Sequence, residues 1–238
     1  MRRILTGVVA LAIALSTFGT AFASSGNASV YVIHGIPGRD ISPAIDPALP
    51  VDVSVNGACA LTDFKFGQTV GPLSLPAGSY AIAISLADGD PATGCNSAPV
   101  IGPAHFHFAA RENATVIAHL AEGGAPTATK FTNDIRRLGE NRARLAVRHT
   151  ANAPKVDIGL YRGEREVGHL TGLYNPDELK TTVRAGDYSA AIFPAGGLAP
   201  VFGPVPLSLT ARNLTIVYAV GSLANGTFTV IPQVIAAR

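Results

Sequence analysis

A histidine and an aspartate occur together twice in the chain, and these pairs are the ionisable residues best suited to chemistry. His34 and Asp52 lie in the first half, and His149 and Asp157 follow in the same order in the second. A histidine oriented by a carboxylate can act as a general acid or base, or can activate a nucleophile. The same two side chains can instead hydrogen-bond between neighbouring strands and fix the loop between them. We favour this structural role, because no nucleophile accompanies the pair in both halves, and we assign no catalytic residue, cofactor or metal ligand.

Three other histidines could bind a metal ion. His105 and His107 alternate along one predicted strand, so both side chains point to the same face, and His119 follows on a later strand. Imidazole is a common ligand of zinc and copper. The neighbouring Phe106 and Phe108 have apolar counterparts in the second half of the chain, so we expect the phenylalanines in the core and the two histidines outside. Two ligands do not close a metal site, and binding by all three histidines stays open.

Both cysteines of the chain fall in the first half. Cysteines of exported proteins usually pair, so we predict a disulfide between Cys59 and Cys95. Two buried free thiols are the alternative. The bridge would tether the loop from Ala87 to Ile101, which is longer than its counterpart from Pro194 to Phe202 and therefore costs more entropy to order.

Alternating apolar and polar residues predict that β-strands position these groups. Val51, Val53 and Val55 share one face and are followed by the turn dipeptide Asn56-Gly57. Glycine (25 residues) and proline (17 residues) are plentiful between such segments. Only the segment from Pro176 to Lys180 suits a single helical turn, because proline and acidic residues favour a helix start. The chain is therefore predicted to be all-β.

The sequence also repeats itself. The segment GPAHFHFAAR, from Gly102 to Arg111, reappears as GPVPLSLTAR, from Gly203 to Arg212. Repetition at this distance predicts two tandem antiparallel immunoglobulin-like β-sandwich domains related by internal duplication. We place the first domain at residues 28–138 and the second at 139–238.

We assign Asn113 and Asn213 to matching positions of the two halves, just before a strand. Both belong to Asn-x-Ser/Thr sequences, as do Asn27 and Asn225. Asparagine is a good turn residue, and the leader looks bacterial, so we favour turn formation over glycosylation.

The segment VRHTANAPKVDI, from Val147 to Ile158, resembles the opening signature of a bacterial family, domain of unknown function 4397. In that family a strand ends in histidine, a short loop with proline follows, and Val-Asp begins the next strand. The first repeat has His34 and Val51-Asp52 in these roles, with its loop lengthened by the insertion from Gly38 to Pro47. The resemblance covers nearly all of the mature chain. It implies an exported, often repeated β-sandwich with no established reaction.

The beginning of the chain has the features of a signal peptide. Arg2 and Arg3 precede an apolar run from Ile4 to Leu15, and small residues lead to Ala23. We predict a signal peptide at residues 1–23 and an exported product that is secreted, periplasmic or at the cell surface. An uncleaved membrane anchor is the alternative, but the run is short for a bilayer, and we expect no membrane span in the mature chain.

Removal of the leader leaves 16 basic and 16 acidic residues, because the leader contributes two arginines and no acid. A chain of zero net charge has no overall field to attract nucleic acid, so we expect no nucleic-acid partner. One basic cluster stands out, and we interpret it as a solvated segment between the domains. It comprises Arg136, Arg137, Arg142, Arg144 and Arg148.

These observations favour an exported, non-enzymatic module that binds an unknown protein or envelope ligand or has a structural role. Loops carry recognition on rigid sheets, so we expect contacts from Gly38 to Pro50 and from Ala87 to Ile101. The rival hypothesis is a metal-dependent or hydrolytic enzyme centred on the histidines and Asp52 of the first repeat. A carbohydrate-binding domain is a third hypothesis, although the absence of tryptophan leaves few side chains for stacking on sugars.

Overall fold

The computed structural model describes residues 26–89 and 94–238, and nearly every regular element in them is a β-strand. The predicted signal peptide lies outside the described residues. The first repeat contains β1 (Ala28–His34), β2 (Val51–Val55), β3 (Ala58–Phe64), β4 (Thr69–Leu75), β5 (Gly78–Leu86), β6 (Pro99–Phe108), β7 (Asn113–Leu120) and β8 (Pro126–Thr132). The second contains β9 (Arg142–His149), β10 (Val156–Arg162), β11 (Arg165–Leu173), β12 (Glu178–Arg184), β13 (Gly186–Pro194), β14 (Phe202–Leu209), β15 (Asn213–Val220) and β16 (Thr229–Ala236).

A short helix, α1 (Gly38–Ile41), is the one helix in the described residues. The helical turn predicted from Pro176 to Lys180 is wrong, because Glu178 already begins β12 and pairs with Arg148 of β9. An isolated helical turn gains one hydrogen bond at most, whereas a strand here completes a seven-residue antiparallel ladder. No helix in the described ranges is long and apolar enough to cross a membrane.

Each repeat folds into two four-stranded sheets. In the first repeat the inner sheet has the order β4-β1-β7-β8 and the outer sheet has the order β3-β2-β5-β6. The second repeat copies both, with β12-β9-β15-β16 as its inner sheet and β11-β10-β13-β14 as its outer sheet. The prediction of two β-sandwiches related by duplication is confirmed. The predicted boundary at 138/139 lies in the connection between β8 and β9.

One strand pair in each repeat is parallel, which departs from the fully antiparallel expectation. β1 pairs with β7, and β9 pairs with β15, in parallel. Successive strands alternate in direction, so the first and seventh strands of a repeat point the same way. When they lie side by side at the centre of the inner sheet, they must pair in parallel.

Strand pairing also corrects one part of the sequence alignment. His34 pairs with Ala118, and the equivalent His149 pairs with Ala219. In this register Asn113 corresponds to Leu214, so the predicted match of Asn113 with Asn213 is wrong by one residue. A slip of one residue moves a side chain to the opposite face of a sheet. Buried Asn113 accepts a hydrogen bond from Asn133 Nδ2 at 2.7 Å.

Each sandwich has its own apolar core between its two sheets. In the first, the buried residues include Val30, Val53, Phe108 and Val116, and Phe106 packs against them. The expectation that the two phenylalanines of β6 face inward is confirmed. His105 and His107, which alternate with them, are exposed.

A third core lies between the two sandwiches, where their inner sheets pack face to face. The first repeat contributes Ile33, Ile117 and Phe131, and the second contributes Ala146, Leu214, Ile216, Tyr218, Val220, Ile231 and Ile235. As a result β7 is buried at every one of its positions. A strand covered on both faces loses the apolar-polar alternation that a strand with one solvated face shows.

The two sandwiches point in the same direction. Gly123 N donates to Asn152 Oδ1 at 3.1 Å, and Asn175 Nδ2 donates to the Leu120 carbonyl at 2.7 Å. These bonds join the loops at the ends of β7, β9 and β11. Each of these strands runs in the same direction as the first strand of its own repeat. We call this end the loop end, and it comprises residues 35–50, 65–68, 87–89, 94–98 and 121–125 with 150–155, 174–177, 195–201 and 221–228. The opposite end, which contains the connection 133–141, is the linker end.

Candidate functional site

The aspartates of the repeated motif fix loops at the loop end. Asp52 Oδ1 accepts the backbone N–H of Asp63 at 3.1 Å, and Asp52 Oδ2 accepts that of Cys95 at 2.7 Å. Both donors have left-handed backbones, with φ of 52° at Asp63 and 65° at Cys95. A carboxylate that accepts two backbone hydrogen bonds joins the end of β3 and the β5–β6 connection to the start of β2.

Asp157 does the same in the second repeat. Its two oxygens accept the backbone N–H groups of Gly172 and Gly196, both at 2.8 Å. These bonds lower the pKa of Asp157, because they stabilise the ionised carboxylate. Both donors again have positive φ, and here both are glycines. Gly172 and Gly196 were the sequence signal for this role of Asp157, and the sequence analysis missed it.

His34 fixes the remaining large loop of the first repeat. Its Nε2 donates to the Leu49 carbonyl at 2.8 Å, and its Nδ1 accepts the backbone N–H of Ile36 at 3.2 Å. One donor and one acceptor match the neutral imidazole with its proton on Nε2. Protonation of Nδ1 would turn it into a donor that faces another donor, the backbone N–H of Ile36. Burial, partly offset by the bond to Leu49, lowers the pKa of His34 to about 4.

His149 repeats this arrangement with the Pro154 carbonyl at 3.0 Å and the Ala151 N–H at 3.3 Å. Burial also lowers its pKa. In the described residues neither histidine hydrogen-bonds to the aspartate of its motif, so the direct bond considered from sequence is not formed. The histidine and the aspartate of each repeat instead fix separate loops. Both histidines are fully buried and neutral, which makes them weak bases out of reach of a substrate.

The structure does not bring the candidate metal ligands together. His119 is fully buried, and its Nδ1 donates to the Leu120 carbonyl at 3.0 Å while its Nε2 accepts from Thr129 Oγ1 at 2.8 Å. His105 and His107 lie exposed on the outer sheet instead. Within residues 26–89 and 94–238 no three His, Cys, Asp or Glu side chains gather in a way that could hold a metal ion.

The interpretation of the basic cluster as a solvated segment is wrong for two of its members. Arg148 is fully buried and pairs with Glu178 at 2.7 Å. Arg144 is buried as well, with its Nε 3.3 Å from Asp134 Oδ2. Both lie on β9, a central strand of the inner sheet, and the packing of the two sandwiches covers them. The remaining arginines of the cluster are exposed.

The predicted disulfide between Cys59 and Cys95 is confirmed. It joins β3 to the β5–β6 connection, with the two Cα atoms 5.5 Å apart. Because Asp52 holds the backbone N–H of Cys95, the same loop is fixed twice.

Replacing both cysteines by serine should lower the free energy of unfolding by about 2–4 kcal/mol, because the closed loop restricts the unfolded chain. Urea unfolding followed by circular dichroism would measure this. Reduction of the unsubstituted protein is the matched control and should give the same loss. A change below about 0.5 kcal/mol in both experiments would contradict the prediction.

The loop end carries an unusual share of exposed apolar side chains. Of the seven large apolar residues exposed in the described chain, three lie there and two more lie at the adjoining ends of β5 and β6, with 39% to 99% of their surface accessible. They are Ile41, Leu86, Val100, Tyr174 and Leu198. The first three lie in or beside the two loops that the sequence analysis singled out, while Tyr174 and Leu198 come from the second repeat and were missed. Leu198 stands alone among small residues and proline, which was a usable signal.

An apolar cleft opens among three of these residues. It has a volume of about 80 Å³, and Ile41, Leu86, Val100 and Pro126 lie along its wall, with His34 at its inner side. The lining exposes apolar atoms only. The cleft can therefore receive an apolar side chain but offers no polar group for catalysis.

The insertion that forms one wall of this cleft is attached to the second repeat. Asp40 of α1 accepts hydrogen bonds from Asn225 Nδ2 at 3.0 Å and from Thr227 Oγ1 at 2.7 Å. The loop expected from sequence to be a free contact loop is therefore partly an interface element. Loops of both repeats thus form one continuous surface.

Comparison with solved structures gives remote similarities. The Bacillus anthracis TIE protein is 10% identical with a TM-score of 0.27, and the match covers 83% of this chain and 34% of that one. A leucine-rich repeat protein from Bacteroides thetaiotaomicron is 13% identical with a TM-score of 0.26, covering 83% and 26%. A putative cell adhesion protein from Bacteroides ovatus is 7% identical with a TM-score of 0.25, covering 89% and 98%. The chain thus spans about a third of the first of these proteins, and at these scores the similarities carry no argument about function.

Comparison with curated proteins gives no match. The model of one protein family, described as a domain of unknown function (DUF4397), matches residues 28–159. The match spans the first repeat and the first two strands of the second, and so includes both copies of the histidine and aspartate motif. The chain therefore belongs to the DUF4397 family.

Proposed function

We propose that the protein is an exported, non-enzymatic binding module that contacts a protein or another envelope ligand through its loop end. The observation that carries the proposal is the concentration of exposed apolar side chains there. Exposed large apolar residues scattered singly need no explanation, whereas their accumulation on one surface is typical of an interaction site.

The rigidity of this surface supports the proposal. Asp52, Asp157, His34 and His149 each fix a loop through hydrogen bonds to its backbone. Loops that are ordered before binding lose less conformational entropy when a partner docks. The central core between the inner sheets also keeps the two sets of loops in one arrangement.

The leader supports export, and the disulfide is compatible with an oxidising compartment outside the cytosol. Of the histidines considered for an enzyme, His34 and His119 are buried while His105 and His107 lie exposed on the outer sheet, which gives no support to a shared catalytic site. Metal analysis of the purified protein tests that part of the proposal directly. A stoichiometric zinc or copper content would overturn it.

A triple variant tests the loop end. Val100→Ser, Tyr174→Ala and Leu198→Ser together should weaken binding of the protein to the envelope fraction of the producing cell by at least about tenfold, because buried anchor residues often contribute 1 kcal/mol or more each. Binding would be measured by sedimentation of labelled protein with the envelope fraction.

The matched control replaces an exposed apolar residue far from the loop end. Val234, which is 57% exposed, lies towards the linker end. A Val234→Ser variant should bind like the unsubstituted protein. Equal binding by both variants and the unsubstituted protein would exclude the loop end as the recognition surface.

A further inference from the structure

Three arginines line one hollow at the linker end of the second repeat. The hollow has a volume of about 300 Å³, and Arg142, Arg162 and Arg184 border it together with Thr182 and Tyr188. Arg142 begins β9, Arg184 ends β12 and Arg162 ends β10, so the three side chains come from both sheets of the sandwich. All three are exposed.

These arginines are placed where their charges repel each other. Arg142 lies directly opposite Arg184 across the antiparallel β9–β12 pair, and Arg162 lies opposite Arg165 across the β10–β11 pair. Like charges directly opposite on neighbouring strands destabilise a sheet. None of the four forms an ion pair with a carboxylate of the described residues. Stability of the fold therefore gives no reason for this arrangement.

One of the three guanidinium groups is held in position. Arg162 stacks over the ring of Tyr188, 4.6 Å from its centroid, and its Nη2 donates to the Ala185 carbonyl at 3.3 Å. Tyr188 is itself fixed, because its hydroxyl donates to the Arg184 carbonyl at 2.6 Å. A group ordered in advance loses less entropy when it binds a ligand.

The first repeat provides an internal comparison. Tyr80 is the counterpart of Tyr188, and its hydroxyl donates to the Pro76 carbonyl at 2.8 Å, so Pro76 stands where the second repeat has Arg184. By the same strand register, Asn27 and Gly57 stand where the second repeat has Arg142 and Arg162. The same fold forms without any of these charges. The three arginines are therefore specific to the second repeat and are not required by the sandwich.

A second arginine-lined hollow lies beside the first. It has a volume of about 210 Å³ and is bordered by Arg137, Arg212 and Arg238. The backbone N–H of Arg212 donates to the Arg142 carbonyl at 2.8 Å, which places the two hollows next to each other. Arg212 pairs with the exposed Glu140 at 2.7 Å, so part of the charge of this second hollow is neutralised. The first hollow has no such acid among the described residues.

We propose that the hollow bordered by Arg142, Arg162 and Arg184 binds a phosphate group. Guanidinium groups form paired hydrogen bonds with phosphate oxygens, and arginine presents its donors in a fixed planar arrangement that suits them. Three guanidinium charges exceed what one carboxylate would neutralise, whereas a phosphate or pyrophosphate carries more charge and more acceptor oxygens. The site is at the opposite end from the proposed recognition surface and does not depend on it.

Calorimetric titration of the purified protein with pyrophosphate tests binding of free phosphate. Sedimentation with phosphatidylglycerol vesicles tests a lipid headgroup as the source, with phosphatidylcholine vesicles for comparison. The triple variant Arg142→Gln/Arg162→Gln/Arg184→Gln should weaken binding at least about tenfold, the effect expected from losing one charge-assisted hydrogen bond or more. The control variant Arg39→Gln/Lys65→Gln/Arg111→Gln removes the same total charge from exposed positions elsewhere and should bind normally.

Pyrophosphate binding that is lost in the triple variant and kept in the control supports the proposal with a soluble phosphate as ligand. Binding to phosphatidylglycerol vesicles alone, with the same dependence on the three arginines, supports it with a lipid headgroup as ligand. Binding to neither probe, or equal binding by the two variants, overturns it. The triple variant loses the contacts of Arg162 with Tyr188 and Ala185 but relieves the repulsion, so it should melt close to the unsubstituted protein, and a loss of binding is separable from unfolding.

Discussion

Replacing Arg148 by alanine should lower the free energy of unfolding by about 3–5 kcal/mol, the usual cost of removing one partner of a buried ion pair. The guanidinium is fully buried and pairs with Glu178 Oε2 at 2.7 Å. It also donates to the Tyr218 hydroxyl at 2.6 Å and lies over the Phe131 ring, 4.5 Å from its centroid. Alanine would leave Glu178 with the partly exposed Lys180 as its remaining cation, and would leave a void between the repeats.

Two variants make the Arg148 experiment specific, and chemical denaturation would measure the stability of each. Arg137→Ala removes an exposed arginine of the same sequence cluster and should change stability by less than about 0.5 kcal/mol. A double variant, Arg148→Met/Glu178→Gln, removes both charges of the buried pair and should recover much of the loss, because the charge that loses its partner is then the partly exposed Lys180. Similar stabilities of Arg148→Ala and Arg137→Ala would show that Arg148 is solvated and that the interface between the repeats is not formed.

Acidification should destabilise the protein within a defined pH range. Burial lowers the pKa of both His34 and His119 from 6.5 to about 4. Between these values the unfolded chain binds protons that the folded protein excludes, so stability is full above pH 6.5 and falls as the pH decreases towards 4. Each histidine should account for about 3 kcal/mol over this range.

The pH range in which the histidines destabilise the protein lies above the range in which the stabilised carboxylates become protonated. Hydrogen bonds and the charge of Arg136 lower the pKa of Asp134 from 3.8 to about 2, so its contribution to stability is lost only at lower pH. Urea unfolding measured at several pH values from 6.5 to 4 would test the effect. His34→Gln should reduce the dependence on pH by about one proton, while His105→Gln, at an exposed position of β6, should leave it unchanged. A stability that is constant over this range would mean that the histidines are accessible to solvent.

The expected stability effects and the two proposed sites depend on different levels of structure. The stability effects arise from polar groups buried inside the molecule or between its repeats. The loop-end surface and the arginine-lined hollow both require side chains that are far apart in sequence. Leu198 and Val100 belong to different repeats, and Arg142 and Arg184 come together only because β12 pairs with β9.

Much of the fold could be predicted from local patterns. Alternation of valines in β2, turns marked by glycine and proline, and the repeated segments predicted an all-β chain, its two sandwiches and their duplication, but β3, β4, β11 and β12 were not predicted. The disulfide followed from the presence of just two cysteines in a chain predicted to be exported. The sequence also singled out His34, Asp52, His149 and Asp157, each of which bonds to a backbone group instead of to its predicted partner, and their structural role stays a prediction.

What the sequence by itself determined is therefore the all-β class and, in strands such as β2 and β6, which face buries apolar side chains within a repeat, because these depend on the alternation of neighbouring residues. The tertiary structure alone decided that the inner sheets pack together, that Arg148 is buried, and that loops of both repeats share one end. Alternation of apolar and polar residues within a strand indicates that one face of the strand is buried. Whether the second face is also buried depends on the shape and composition of another sheet, which lies about a hundred residues away in this duplicated chain.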